Sequence, residues 1–260
     1  MSETLNVTIV GESIMLIALN RPEKFNSFNR EMALALQAAL DNAGANSQIR
    51  CVVITGNGKA FCAGQDLSEA VNPDGPGIAK IVMEHYNPII LKIRNLAKPV
   101  VAMINGVAAG AGANIALCCD IAIASHSASF IQAFSKIGLV PDSGGSFTLP
   151  RLVGWQRASA LMITGDKVSA DEAHKMGMIY RATSAESLYD ETIKLAETLA
   201  SMPTKAIAQT KQMLNSSAFN NLETQLSVEL HEQVIAAQSA DYKEGVAAFL
   251  EKRQPVFKGL

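Results

Sequence analysis

The stretch PVVAMINGVAAGAGANIALCCDIAIA, residues 99–124, decides how this chain is read. Val100 to Ile104 is a short apolar run with the look of a buried strand, and Asn105-Gly106 turns it. Gly112 then opens a helix that reaches Cys119, and residues 121–124 form a second strand. Length alone would suit a membrane span. Asn105, Gly106, Gly110, Gly112, Asn114 and Asp120 interrupt the run well short of the about 18 clean apolar residues a span needs. A strand, a glycine-rich turn, a buried helix and another strand make a unit of an α/β protein with a largely parallel sheet.

The same alternation extends towards the N-terminus. Leu5 to Ile9 and Ile14 to Leu19 flank Gly11-Glu12 as a hairpin. Asn29 is placed to cap a helix to about Ala43, with Met32, Leu36 and Leu40 on one face. Cys51 to Thr55 is a strand, residues 61–67 form a loop of small residues, and residues 78–96 are helical by period. After Pro150 the pattern predicts helices over 154–163, 170–176, 186–200, 203–214, 222–238 and 242–252, and no strands. Ser169 with Glu172 fits a capping box. The division expected is an α/β core over 1–200 and a C-terminal helical region over 201–260.

Composition excludes several classes. A net charge of -2 offers no electrostatic footprint for nucleic acid or an anionic membrane. Residues 1–10 lack the basic-then-apolar order of a signal peptide. Cys51, Cys62, Cys118 and Cys119 have neither C-x-x-C nor zinc-ligand spacing, and they read as small core residues of a reducing, cytoplasmic compartment. His85, His126, His174 and His231 have no partners at ligand spacing, so no metal site is expected. Lys205 and Lys211 fall on a solvated helical face by period, and Trp155 reads as a packing residue.

Chemistry is expected in three loops. Phe61-Cys62-Ala63-Gly64-Gln65-Asp66-Leu67 and residues 105–114 are both rich in small residues, and the second leads into a helix. Small residues admit a ligand close to the main chain, and free N–H groups at a helix start favour negative charge. Two such groups aimed at one point make an oxyanion hole. Composition equally allows that the glycines only let strand and helix pack closely. In the third loop Asp142 follows Pro141 and precedes Ser143-Gly144-Gly145, as an N-cap or as a functional carboxylate. Asp66 reads as a loop brace.

Taken together, Asn20-Arg21-Pro22 with Asn26, the 61–67 loop, Asn105-Gly106 with its small-residue run, Asp120-Ile121, and Ile137-Gly138-Leu139-Val140-Pro141 with Gly144-Gly145 resemble the enoyl-CoA hydratase/isomerase (crotonase) family, in order and over essentially the whole chain. The resemblance implies a spiral of ββα repeats with a C-terminal helical trimerisation region. It implies an acyl-CoA substrate, so that coenzyme A enters as part of the substrate and no separate cofactor is needed. It implies a homotrimer or a pair of trimers. Carried over by motif, the N–H groups of Gln65 and Ala111 bind the thioester oxygen. The CoA adenine and phosphates lie near Lys24, Phe25 and Asn26 and along Ala63, Gly64, Asp66 and Leu67, with Gly110 beside the hole and Phe249 and Lys252 adding contacts from the tail.

Departures from the family pattern narrow the reaction. Hydratases of the family place glutamates at the positions of Asn114 and Phe134, and neither residue here can transfer a proton. Asp142 stands where dienoyl-CoA isomerases and aryl-CoA dehalogenases of the family carry an aspartate, as base or as nucleophile. Val140, Pro141 and Phe134 are expected to desolvate it. Asn114 either contacts substrate or is a satisfied polar group of the buried helix. The overall pattern resembles those members that isomerise a ring-epoxidised phenylacetyl-CoA and shift 3-enoyl double bonds to position 2. A hydratase or hydrolase of the family, or a non-catalytic acyl-CoA-binding subunit, are the alternatives.

Overall fold

The computed structural model describes residues 3–260; Met1 and Ser2, and with them the start of the 1–10 segment read for a signal, lie outside the described residues. No helix among these residues is long and apolar enough to cross a membrane.

The chain opens with the expected hairpin, β1 (Leu5–Val10) and β2 (Ile14–Leu19). A repeating plan comes next. β3 (Cys51–Gly56) is succeeded by β4 (Ala60–Cys62), β5 (Val100–Ile104) by β6 (Val107–Ala109), and β7 (Ile121–Ser125) by β8 (Ser129–Ile131). In each pair the first strand joins one sheet and the second strand joins another. With β10 (Arg181–Thr183), the six-stranded sheet has the order β1-β2-β3-β5-β7-β10 and is parallel apart from β1. With β9 (Lys167–Ser169), the four-stranded sheet has the order β4-β6-β8-β9, with β9 antiparallel. A helical segment completes each repeat, which gives the spiral of ββα units.

Strands β3 and β5 are buried at every position because both faces of the sheet are covered. Val52, Ile54, Val100, Ala102 and Ile104 face the main core beneath α1 (Arg30–Ala45), α4 (Asn87–Asn95) and α5 (Ala111–Cys118). Cys51, Val53, Val101 and Met103 face the opposite way, onto Leu188, Ala196 and Ala200 of α9 (Leu188–Ser201). Asn29 caps α1 as its sequence position predicts, accepting from the Met32 N–H at 3.0 Å. The carbonyls at the other end of α1 are met by buried Lys98, whose Nζ donates to Ala43 and, at 2.7 Å, to Asn46.

Two expectations about the secondary structure are corrected. The region after Pro150 is not purely helical. Besides α6 (Gly145–Val153), α7 (Trp155–Thr164) and α8 (Ala170–Lys175), it contains β9 (Lys167–Ser169) and β10 (Arg181–Thr183). Each has three residues, too few for alternation to register. Residues 78–96 are helical, but as α3 (Gly77–Lys80), a π-helical turn over Ile81–Tyr86 and then α4.

Helices α10 (Thr204–Ser217), α11 (Leu222–Ala236) and α12 (Ala240–Glu251) close the chain. Lys205 is exposed as expected, but Lys211 is buried: its Nζ reaches Asp120 at 2.7 Å and the carbonyl of Ile93 at 2.6 Å. Trp155 does not pack in this chain and is exposed.

Candidate active site

The site is built where the ends of β4 and β6 approach each other. An added Cβ on Gly112 would lie 2.4 Å from the carbonyl oxygen of Cys62, so only glycine lets α5 start against β4. Gly64 has φ +96° and also approaches the other loop, where an added Cβ would lie 3.0 Å from the Ala109 carbonyl oxygen and 3.6 Å from the Ala111 nitrogen. The glycines therefore do pack helix against strand, and that packing sets two loops side by side with their main chains facing.

Ala111 is the first residue of α5, so its N–H has no acceptor within the helix. The N–H of Gln65 has none among the described residues either, although its neighbours are tied down. Phe28 donates to the Gly64 carbonyl at 2.7 Å and accepts from the Asp66 N–H at 2.8 Å. Both Gln65 and Ala111 line one cavity of about 180 Å³. Ala63, Gly64, Leu67, Gly110, Phe134 and Asp142 line it too, so one pocket gathers eight of the residues singled out in the sequence. Its remaining wall is apolar and includes Ile78, Ile81, Val82, Ile137 and Leu139, with the hydroxyl-bearing Tyr86.

Asp142 is the one carboxylate of that lining. It is not a helix cap: α6 begins after Gly144 without a side-chain cap. Burial raises its pKa above the ordinary carboxylate range, partly offset by the Ser143 hydroxyl, which donates at 2.8 Å. Val140 does not contribute to that burial, because it is 80% exposed; Phe134, Tyr86 and Leu139 wall the cavity instead.

Asn114 is a brace. Its Nδ2 donates to the Asp142 main-chain carbonyl at 2.9 Å, and its Oδ1 accepts from Gln132 Nε2 at 2.8 Å. A carbonyl can only accept, which fixes the orientation of the Asn114 amide and then of Gln132. The buried side chain does not reach the cavity lining. Nothing in the short sequence around β8 marks Gln132, the residue after that strand, for this role.

Other assignments are redistributed. Asn26 is fully buried and serves the backbone, accepting from the Arg21 N–H at 2.9 Å and donating to Asn57 and Ala60 carbonyls at 2.9 and 2.8 Å. It shapes the loop rather than offering itself to a ligand. Lys24 and Phe25 remain exposed beside it. Asp66 braces its loop as expected, capping α2 (Leu67–Ala70) and meeting Arg21 at 2.8 Å. Although burial pushes its pKa up, Ser68 and Arg21 hold the carboxyl below the ordinary range. Phe249 lines a different depression, against Pro203, Tyr242 and Phe257, and neither it nor Lys252 lines the cavity of this chain. His85 is buried outside the lining, its Nε2 3.2 Å from Arg30 Nη1. The Cys62 thiol is buried and pushed up to about 12, which leaves it protonated and inert as a nucleophile. Among the described residues no group of three or more His, Cys, Asp or Glu could hold a metal ion.

Comparison with known proteins gives the family. The family profile described as Enoyl-CoA hydratase/isomerase matches residues 10–260. The chain is 47% identical over 253 residues to the 1,2-epoxyphenylacetyl-CoA isomerase of Escherichia coli (strain K12), covering 96% of this chain and 97% of that one. It is 36% identical over 253 residues to the trans-2-decenoyl-[acyl-carrier-protein] isomerase of Streptococcus mutans, covering 96% of each. Among solved structures, an enoyl-CoA hydratase from Bacillus anthracis superposes with a TM-score of 0.92 at 32% identity, covering 99% of this chain and 100% of that one.

Proposed function

The chain belongs to the enoyl-CoA hydratase/isomerase family and is an enzyme of that family, and from that premise we propose that it is an isomerase of acyl-CoA thioesters working with a single acid/base residue. One observation carries the reading: the cavity that holds the free N–H groups of Gln65 and Ala111 contains one carboxylate, Asp142, and no second one. Adding water across a double bond needs a base for water and an acid for carbon. Moving a proton along a conjugated system needs one group that takes it and returns it.

In this mechanism the thioester oxygen accepts hydrogen bonds from the Gln65 and Ala111 N–H groups. Asp142 removes a proton from the carbon beside the thioester. The negative charge passes to the thioester oxygen, where donors already in place hold it without reorganisation. Asp142 then returns the proton further along the conjugated system. With a 3-enoyl thioester the outcome is a 2-enoyl thioester. With a ring-1,2-epoxyphenylacetyl thioester, loss of the proton lets the strained ring reorganise to the oxepin, and reprotonation completes the step. The substrate named for the Escherichia coli relative, together with the compact apolar wall of the cavity, supports the aryl epoxide as the physiological class.

Assaying one preparation against the ring epoxide, a 3-enoyl-CoA and crotonyl-CoA tests the reading. Isomerisation of the first two is expected to exceed hydration of the third by at least about 100-fold, the usual scale of one missing acid/base group. Hydration at a comparable rate would overturn it.

We also propose that copies of the chain associate through the C-terminal helices, as trimers or pairs of trimers. Leu222, Leu226, Leu230 and Val234 recur every four residues along α11 and are all exposed, as are Phe249 and Leu250 on α12. Such a stripe is otherwise left in water. Light scattering should give the mass of three or six chains; a monomer at micromolar concentration would refute this.

A further inference from the structure

A buried phenol of the cavity wall meets the side chain of Gln65. The Tyr86 hydroxyl donates to Gln65 Oε1 at 2.7 Å, and Gln65 Nε2 donates to Glu69 Oε2 at 2.9 Å. The other carboxylate oxygen of Glu69 accepts from the Arg30 N–H at 2.9 Å, in the first turn of α1. The orientation of this chain of bonds is dictated by chemistry. A carboxylate can only accept, so the Gln65 amide must turn its NH₂ to Glu69 and its oxygen to Tyr86. Tyr86 must then be the donor. Burial raises its pKa well above that of an ordinary phenol, so the hydroxyl keeps its proton at any working pH.

The residue is also positioned unusually. Tyr86 ends the π-helical turn Ile81–Tyr86, and such turns recur at functional sites because the added residue re-aims the side chains beyond it. Its ring is fully buried and packs edge-on against Phe28 at 5.9 Å between centroids. Phe28 is the residue whose backbone brackets Gln65 through Gly64 and Asp66. Gln65 is thus gripped twice from one place, through its neighbours' main chain by Phe28 and through its side chain by Tyr86. Its side chain is thereby committed, while its N–H has no acceptor among the described residues and the residue lines the cavity.

We propose that Tyr86, acting through the side chain of Gln65, is the positioning residue that holds the Gln65 N–H on the thioester oxygen. This rests on the reading of Gln65 and Ala111 as the oxyanion donors. It differs from direct catalysis: the hydroxyl is committed to Gln65, and the group it serves is a main-chain donor on the same residue as the side chain it holds. Misplacing such a donor weakens charge stabilisation in the transition state while leaving ground-state binding nearly intact.

The test uses the full chain with Tyr86→Phe, which keeps the ring against Phe28, with Gln65→Leu, which keeps the N–H but removes the acceptor, and with the double variant. Turnover is measured on a 3-enoyl-CoA. The absorption of bound trans-cinnamoyl-CoA reports polarisation of the thioester carbonyl by its red shift. Tyr86→Phe is expected to lower kcat about tenfold, less than outright loss of a donor, with KM within about twofold. It should diminish the red shift, and adding Gln65→Leu should cost nothing further. An unchanged kcat and red shift in Tyr86→Phe would overturn the proposal. So would a rise in KM with multiplying effects in the double variant, because Tyr86 would then touch substrate itself. Absence of a red shift in the unaltered protein is a separate result: it removes the oxyanion hole at Gln65, and the positioning role falls with it.

Discussion

Replacing Asp142 with Asn is expected to lower isomerase kcat by about 10²–10⁴-fold, the range for removal of a positioned acid/base group, while the affinity for an unreactive acyl-CoA changes by no more than a few-fold. The asymmetry comes from the site. Asn fills the same space and keeps the main-chain carbonyl that accepts from Asn114 and the Gly145 N–H, so the loop geometry survives. The Gln65 and Ala111 N–H groups, to which the proposed mechanism assigns the ester oxygen, are untouched. What disappears is the group that the same mechanism uses to carry the proton. Steady-state kinetics beside calorimetric titration of a saturated acyl-CoA separates the two quantities. Turnover within about threefold of the unaltered protein would remove Asp142 from the mechanism.

The pH dependence should carry the same signature. Burial raises the Asp142 pKa above the ordinary carboxylate value. The base is lost as pH falls through that raised value, so kcat/KM should decline on an acid limb lying above where a solvated aspartate would place it. Stability has the opposite sign. The folded chain binds this proton more tightly than the unfolded chain, so stability falls as pH rises from the unfolded pKa through the folded one. Asn carries no such penalty, and the variant should be at least as stable as its parent at neutral pH by thermal unfolding. A residue that costs stability and supplies turnover is the pattern of a functional group.

The two loops and Asp142 were legible in the sequence because their chemistry constrains residue type. Main-chain donors at a helix start need small residues around them, and 61–67 and 105–114 show it. The second sheet was not legible, because β4, β6, β8 and β9 have three residues each and their partners are set by the spiral, not by local pattern. Tyr86 is hidden for a related reason. A helical period of 3.6 fails across a π turn, so the face on which Tyr86 emerges cannot be counted from Ile78. Asn114 was visible as a buried polar residue, but its partners Gln132 and Asp142 are 18 and 28 residues away, beyond any local pattern.

Lys211 shows the largest failure of periodicity and carries the largest expected stability effect. Its side chain is 5% exposed, between Asp120 at 2.7 Å and the carbonyls of Ile93 and Lys98 at 2.6 and 3.2 Å. Nothing in the run 204–217 reveals that α10 lies over this acidic residue at the head of β7. Asp120 in turn accepts from the Val100 N–H at 2.8 Å and meets Arg94 at 3.4 Å. One carboxylate therefore joins β5, α4 and α10. Asp120→Ala strands a buried ammonium among carbonyls and frees the Val100 N–H. It is expected to destabilise the chain by about 3–5 kcal/mol, the cost of breaking a buried pair from one side. Lys211→Met added to it should recover part of the loss, because a chain of similar length then fills the space without a charge to solvate. Denaturant unfolding at one fixed chain concentration measures both, since association would otherwise shift the midpoint. If Asp120→Ala cost less than about 1 kcal/mol, the value usual for an exposed pair, the network would be ornamental to α10 docking. A double variant less stable than Asp120→Ala would show that Lys211 is held by the carbonyls of Ile93 and Lys98 rather than by its counter-ion.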